Sequence, residues 1–361
     1  MTTEQIAAFR LQNQHISHPA LTDAKAVVAW HGAMQAQDYA HSKWAVGLRI
    51  PGATDDVIEN AIDRGDIVRT HVLRPTWHLV ANEDIRWMLA LSAAQIKAAG
   101  AARERELGLD EKLFKRCNGL IYKALEGGRY LTREEIMAEL AQSGIAADNH
   151  QAIHIMLWAE LDMVVCNGPR RGKQLTYALF DERVAPQQQP DRADALAELA
   201  RRYFFSHAPA TLADFQWWSG LRVAEARAGL ESVKHLLVSE TVADQTYWLP
   251  ADFKPKKTAS PQLHLLPAFD EFLVSYKDRS ASLDTSQKAR AITGNGIFKP
   301  VITVDGWVKG VWQRTLKKDS VVIGPELFDE LNPEERRAFG DAAKHYSRFV
   351  KKTTCVVADA R

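Results

Sequence analysis

Between Glu111 and Phe180 the apolar positions change their period in a fixed order. Leu113, Leu120, Ile121 and Leu125 recur at helical spacing and stop at Gly127-Gly128, a helix-ending pair. Thr132-Arg133-Glu134-Glu135 then reads as a capping box, Thr132 accepting from the helix and Glu135 reaching back. It opens a short helix through Leu140. Asp148 or Asn149 caps a third helix with Ile153, Leu157 and Leu161 on one face. The chain next alternates as strands do, over 163–166 and 174–179, around a turn at 167–173 that holds Gly168, Pro169 and Gly172. Three helices and a two-stranded hairpin describe a winged helix.

The same order recurs. Helices are expected over 193–205, 215–218 and Val223–Val233, with a weaker capping signal at Thr211 and a break at Gly220. Strands follow over 236–239 and 246–249. Nearer the start, helices are expected over 6–13, 24–34 and 42–48. Thr54-Asp55-Asp56 caps another through Ile62, and 67–70 with 78–80 forms a hairpin. The expectation is three tandem winged helices, over 1–110, 111–186 and 187–250. Beyond Pro250 a basic, proline-containing linker covers 254–261. Short strand-like runs follow at Leu263–Leu266, 298–304, 306–313 and 320–323, with Val304-Asp305-Gly306-Trp307 as a hairpin turn. A helix over Pro333–Phe349 and a strand over Thr354–Val357 close the chain. The expected class is α+β, mainly helical, with a small β-barrel-like domain over 251–361.

Composition narrows the function classes. Of 361 residues, 46% are hydrophobic and 25% charged, ordinary for a globular chain. No apolar run approaches the roughly 18 residues of a membrane span, and no secretory signal is visible at the start, so a cytoplasmic protein is expected. Cys117, Cys166 and Cys355 are far apart and make neither a disulfide framework nor a metal clip. His150 and His154 share a helix face but lack the glutamate of a His-Glu-x-x-His site. No phosphate-binding glycine loop is present, so neither metal nor cofactor is expected. Net charge is +1, unevenly spread: residues 251–361 carry 19 Lys or Arg against 14 Asp or Glu. A local basic surface is what nucleic acid requires.

Several segments resemble the AlkZ-like winged-helix DNA glycosylases over nearly the whole chain. They are Met34-Gln35-Ala36-Gln37-Asp38, the run from Arg69 to Val80, Leu266-Pro267-Ala268-Phe269-Asp270-Glu271 with Asp278-Arg279, and the strands from Gly296 to Arg314. The resemblance implies three winged helices and a terminal β-barrel. It also implies excision of alkylated purines, in some members the unhooking of interstrand crosslinks. The family's catalytic signature is glutamine, an aliphatic residue, then glutamine or aspartate, which here falls on Gln35, Ala36 and Gln37.

The chemistry is compatible with amides. Glutamine does not ionise and is no general base. A purine alkylated on a ring nitrogen, however, already carries positive charge and leaves without a proton donor. What remains is to position water and to face a developing sugar cation with negative dipoles. On a continuous helix Gln35 and Gln37 would point about 200° apart. The helix from Ala24 is therefore expected to end near Met34, with 35–38 as an irregular or 3₁₀ turn. Asp38 is the adjoining carboxylate, expected to support the pair or the water. For double-stranded DNA, the candidate contacts are Arg69, His71, Arg74, Thr76 and His78 on the first hairpin and Arg170, Arg171 and Lys173 at the second hairpin's tip. Arg279, Lys299 and Arg314 are further candidates in the basic last third. A non-catalytic DNA-binding protein using the same surfaces is the other expected class.

Overall fold

The computed structural model describes residues 1–257 and 260–357. They fall into two compact units, Asn60–Ala195 and a second made of Met1–Glu59 with Leu196–Arg361. The boundary lies within helix Asp55–Arg64 and so inside the expected 1–110 segment.

In Asn60–Ala195 the strands Ile67–His71 and Trp77–Ala81 pair antiparallel, with Arg69 opposite Leu79 and Thr70 opposite His78. A 22-residue helix follows, Ile85–Glu106, where the sequence pattern announces none. Its buried apolar residues crowd into the first twelve positions, as Ile85, Trp87, Met88, Leu89, Leu91 and Ile96, so no helical stripe runs its full length. Next come helices Glu111–Leu125, Arg133–Gln142 and Asn149–Leu161, capped by Asp110, Thr132 and Asp148. Each cap carboxylate or hydroxyl accepts a first-turn N–H that has no partner inside the helix. Phe114, Ile121, Ile136, Leu140, Ile155 and Val165 form the core they share. Phe114 lies flat on Trp158 with ring centroids 4.2 Å apart. The closing hairpin, Val165–Asn167 with Tyr177–Leu179, is shorter than expected.

The other unit repeats three helices and a hairpin: Arg192–Ser206, which starts in the first unit, then Leu212–Ser219, Val223–Val233 and the pair Leu237–Val242 with Gln245–Pro250. Thr211 does cap the second helix, in a reciprocal box with Asp214. Of the expected linker at 254–261, Thr258 and Ala259 lie outside the described residues. The last third holds one five-stranded sheet in the order Thr354–Val357, Ser320–Leu327, Trp307–Leu316, Val301–Val304, Leu263–Leu266. Three of its four pairings are antiparallel; Thr354–Val357 runs parallel to its neighbour. Where a barrel was expected, the sheet is a curled half-barrel with Leu263–Leu266 at one edge. The turn at Asp305-Gly306 has positive φ at both residues, +50° and +86°, as a tight right-twisted hairpin demands. Helix Pro333–Phe349 packs Phe339, Ala343, Tyr346 and Phe349 inward. Two tryptophans tie the edge strand to its surroundings: Trp44 donates to the Leu265 carbonyl at 2.7 Å and Trp312 to that of Leu266 at 2.8 Å.

Candidate active site

The helix that opens at Ala24 stops at His31, earlier than expected. Gly32, at φ +79°, turns the chain out of it. Ala33–Gln35 is then extended and wholly buried, and only 36–38 is irregular. The expectation of a turn over 35–38 is thus corrected at Gln35, which ends a strand. The two glutamines leave the helix all the same. Gln35 is 6% exposed, whereas Gln37 faces solvent.

Asp38 has a local structural reason to be there. It is the N-cap of helix Tyr39–Gly47, its Oδ1 accepting from the His41 N–H at 2.9 Å. That cap starts the helix three residues before the expected 42. Lys43, on the same helix, is buried between Asp55 and Glu59 at 2.6 Å each, and Tyr39 donates to Glu59 at 2.6 Å. The segment after Gln37 is therefore rigidly anchored.

Under Gln35 sits the segment 270–275. Glu271 is buried and its Oε1 accepts the Gln35 backbone N–H at 2.6 Å. Its neighbour Asp270 takes both terminal nitrogens of Arg49 at 2.9 Å. Arg49 is wholly buried and also donates to the Gln14 and Ala45 carbonyls and the Gln14 side chain, so its charge and hydrogens are satisfied within the fold. Removing one partner of such a pair costs about 3–5 kcal/mol.

A cavity of about 500 Å³ opens beside Asp38. His41, Ala268, Lys299, Trp312, Gln313, Arg314 and Glu326 are among the residues that line it. Three residues expected from the sequence, Asp38, Lys299 and Arg314, are thus brought together. His41, not among the sequence candidates, joins them. Its ring stacks on Trp312, and its Nδ1 accepts the Ala268 N–H at 2.7 Å, so the neutral ring carries its proton on Nε2. Burial, reinforced by Arg314 and opposed by Asp38, lowers its pKa to about 4. The signal available in the sequence was its place three residues after a capping aspartate.

Burial likewise lowers His264 to about 4. Both rings stay neutral in the folded chain where an unfolded one, titrating near 6.5, takes up protons. Stability therefore falls as pH drops from about 6.5 towards 4, by roughly 1 kcal/mol per pH unit for each ring. Urea midpoints at pH 7 and 5 check this, and His264→Gln is expected to shrink the difference. Equal midpoints for the wild type would sink it.

The other sequence candidates separate on burial and partners. Arg279 donates to the Leu273 and Lys277 carbonyls and lies over Phe298, 4.9 Å from the ring centroid, so it braces the 270–280 loop. In Asn60–Ala195, His78 is wholly buried with its Nδ1 on the Thr76 carbonyl, which corrects its expected place on an open hairpin face. Arg69 is 7% exposed, its guanidinium 4.0 Å from the Trp77 centroid. His71 is held by Glu160 through both its backbone N–H and Nδ1. Arg74 and Thr76 lie in the hairpin turn, half-buried. Arg170, Arg171 and Lys173 are exposed at the second hairpin's tip, where Arg171 meets both oxygens of Glu135 at 2.7 Å.

Comparison with known proteins adds three findings. The family model described as DNA glycosylase AlkZ-like matches residues 28–349. A curated relative from Streptomyces sahachiroi, named an interstrand DNA cross-link repair glycosylase, is 21% identical over 95% of each chain. The solved structure of the Streptomyces sahachiroi DNA glycosylase AlkZ superposes with a TM-score of 0.81 at 20% identity. That match covers 99% of this chain and all of the other, a likeness of fold.

Proposed function

Because the chain belongs to the AlkZ-like DNA glycosylase family, whose enzymes are hydrolases acting on DNA, we propose that it excises cationic alkylated purines from duplex DNA, crosslinked ones included. In this reading Gln35 and Gln37 position the attacking water. The observation that carries it is that Gln35 and Gln37 lie outside any helix, the chain being released at Gly32, with Gln35 ending a buried strand held by Glu271 and Gln37 in the bend that follows. Off the helix, the two amides are freed from the roughly 200° divergence that a continuous helix would impose on residues two apart. The name of the Streptomyces relative supports the crosslink part.

The chemistry balances without an acid. The C1′–N bond breaks and its electron pair leaves with the base, which neutralises the ring. The sugar carries the positive charge until water adds at C1′ and sheds a proton to solvent. Amide oxygens aimed at C1′ and the water favour the charged state over the bound lesion. We read the two sets of three helices and a hairpin as winged helices, with a third built around the first hairpin, over 1–110, 111–186 and 187–250. In the part from 251 to 361, Lys299 and Arg314 are the candidate phosphate contacts. A cytoplasmic, nucleoid-associated protein fits this activity.

Incubation with duplex DNA containing N7-methylguanine, followed by alkaline cleavage of abasic sites, tests the reading. Strand breaks at the lesion support it; binding with no release makes the protein a non-catalytic DNA binder. Neutralising Arg170, Arg171 and Lys173 together should weaken binding alike for every sequence and flatten its salt dependence by about 0.9 for each phosphate no longer neutralised. An unchanged slope returns that hairpin tip to the solvent. Because Arg171 is shared with Glu135, its single variant is expected to change the slope least.

A further inference from the structure

Among the buried ionisable groups, Glu271 has partners that lead to the glutamine segment. Its carboxylate, 1% exposed, gathers donors from separate parts of the fold. Oε1 accepts the Gln35 N–H at 2.6 Å. Oε2 accepts from Trp218 Nε1 at 3.1 Å and from the Ser275 hydroxyl, and it faces His207 Nε2 at 3.4 Å. Of these, the backbone amide, the indole and the hydroxyl carry no charge. The nearby Arg49 guanidinium is already taken, both terminal nitrogens bonding Asp270. Burial by itself raises the carboxyl pKa, but His207, Ser275 and the Gln35 amide outweigh it and hold the group down at about 2. Burial lowers His207 in turn, against the hydrogen bond and charge of Glu271, which raise it. The result is a buried carboxylate one hydrogen bond beneath Gln35, kept ionised by these partners, His207 first among them, and shielded from water.

We propose that Glu271 is a positioning residue for the excision, fixing the Gln35 backbone by accepting its N–H and setting a negative potential beneath it that favours the sugar cation. This rests on the reading of Gln35 as a catalytic group. A cation formed near Gln35 meets that charge through low-dielectric protein, where a Coulomb interaction is several times stronger than in water. An exposed carboxylate would be screened and could attack the sugar; a buried one acts only through its field and its hydrogen bond. The same anion gives no advantage to a neutral abasic sugar.

Full-length Glu271→Gln removes the charge with little change of shape: the amide oxygen still accepts the Gln35 N–H, while the amide nitrogen replaces Oε2 opposite Trp218 and Ser275. Two duplexes serve as probes, one with a neutral tetrahydrofuran abasic site and one with a cationic azaribose that mimics the sugar cation. The wild type is expected to bind the azaribose duplex more tightly. In E271Q that preference should fall roughly tenfold, single-turnover release of N7-methylguanine should fall at least as far, and tetrahydrofuran affinity should hold. Glu271→Asp keeps the charge and should keep the preference even if turnover drops. An E271Q protein with wild-type preference overturns the proposal, and so does one that loses both affinities equally, which is the mark of a purely structural role. If E271Q does not fold, E271D decides, and loss of the preference with the charge retained overturns it. Wild-type turnover in Gln35→Ala would instead sink the reading of Gln35, and the azaribose ratio would still report on the carboxylate.

Discussion

Replacing Gln35 or Gln37 by alanine is expected to lower single-turnover release of N7-methylguanine by roughly 10²-fold or more, with duplex affinity nearly unchanged. The size follows from the role: removing one oriented dipole from a charge-stabilising site costs about 10²–10³ in rate when no other group replaces it. Affinity is expected to be spared because, in the proposed role, these amides act on the reacting sugar while basic side chains meet the phosphates. The two positions should differ in a second observable. Gln35 is buried, so its alanine variant leaves a void and is expected to lower the melting temperature; Gln37 faces solvent and its variant should melt as the wild type does. Gel-resolved abasic-site assays and thermal melts on both variants settle the matter. Wild-type turnover in both single variants would end the catalytic reading of the pair.

Much of the fold could be read from the chain because local signals and packing agree there. Thr132 with Glu135, Thr211 and Asp148 all cap the helices they announce, and Val223–Val233, Pro333–Phe349 and Leu263–Leu266 have the expected ends. The failures have physical causes. Helix Ile85–Glu106 buries no apolar side chain beyond Ile96, so its apolar stripe breaks midway. The stop at Gly32 was hidden because Ala33 and Met34 continue the helical hydrophobic run, while the chain needs positive φ one residue earlier. Closure of the last sheet depends on which strands meet at its edges, and strand periodicity holds no information on that.

The site was legible at one level only. Gln35, Gln37 and Asp38 stand out as neighbours in the chain, but their supports are distant in sequence: Glu271 lies 236 residues from the amide it holds. His78 and Arg279 look like surface cations or donors on a strand or loop, and only the fold shows one enclosed and the other capping carbonyls. Charge type can be read from a sequence; whether a charge already has a partner cannot.

Selectivity should follow the charge of the leaving base. N7-alkylguanine and N3-alkyladenine are expected to be released, and uracil and hypoxanthine to be spared by at least roughly 10³-fold, since a missing general acid is worth about 10²–10⁴. The titratable groups around the glutamines agree with this. Glu271 is held at about 2 and His41 at about 4, so the first stays ionised and the second neutral across the neutral range. Neither is an acid able to protonate a departing neutral base near pH 7. Single-turnover rates on the cationic lesions should therefore vary little between about pH 6 and 9, because neither group changes its protonation there. The two outcomes are linked. A bell-shaped profile in that window would expose a titrating acid, and such an acid should also release hypoxanthine. Release of neutral bases on a flat profile would mean that the amides and the buried carboxylate stabilise the sugar cation strongly enough to dispense with leaving-group charge. That result would keep Gln35 and Glu271 in their roles while overturning the restriction to cationic purines.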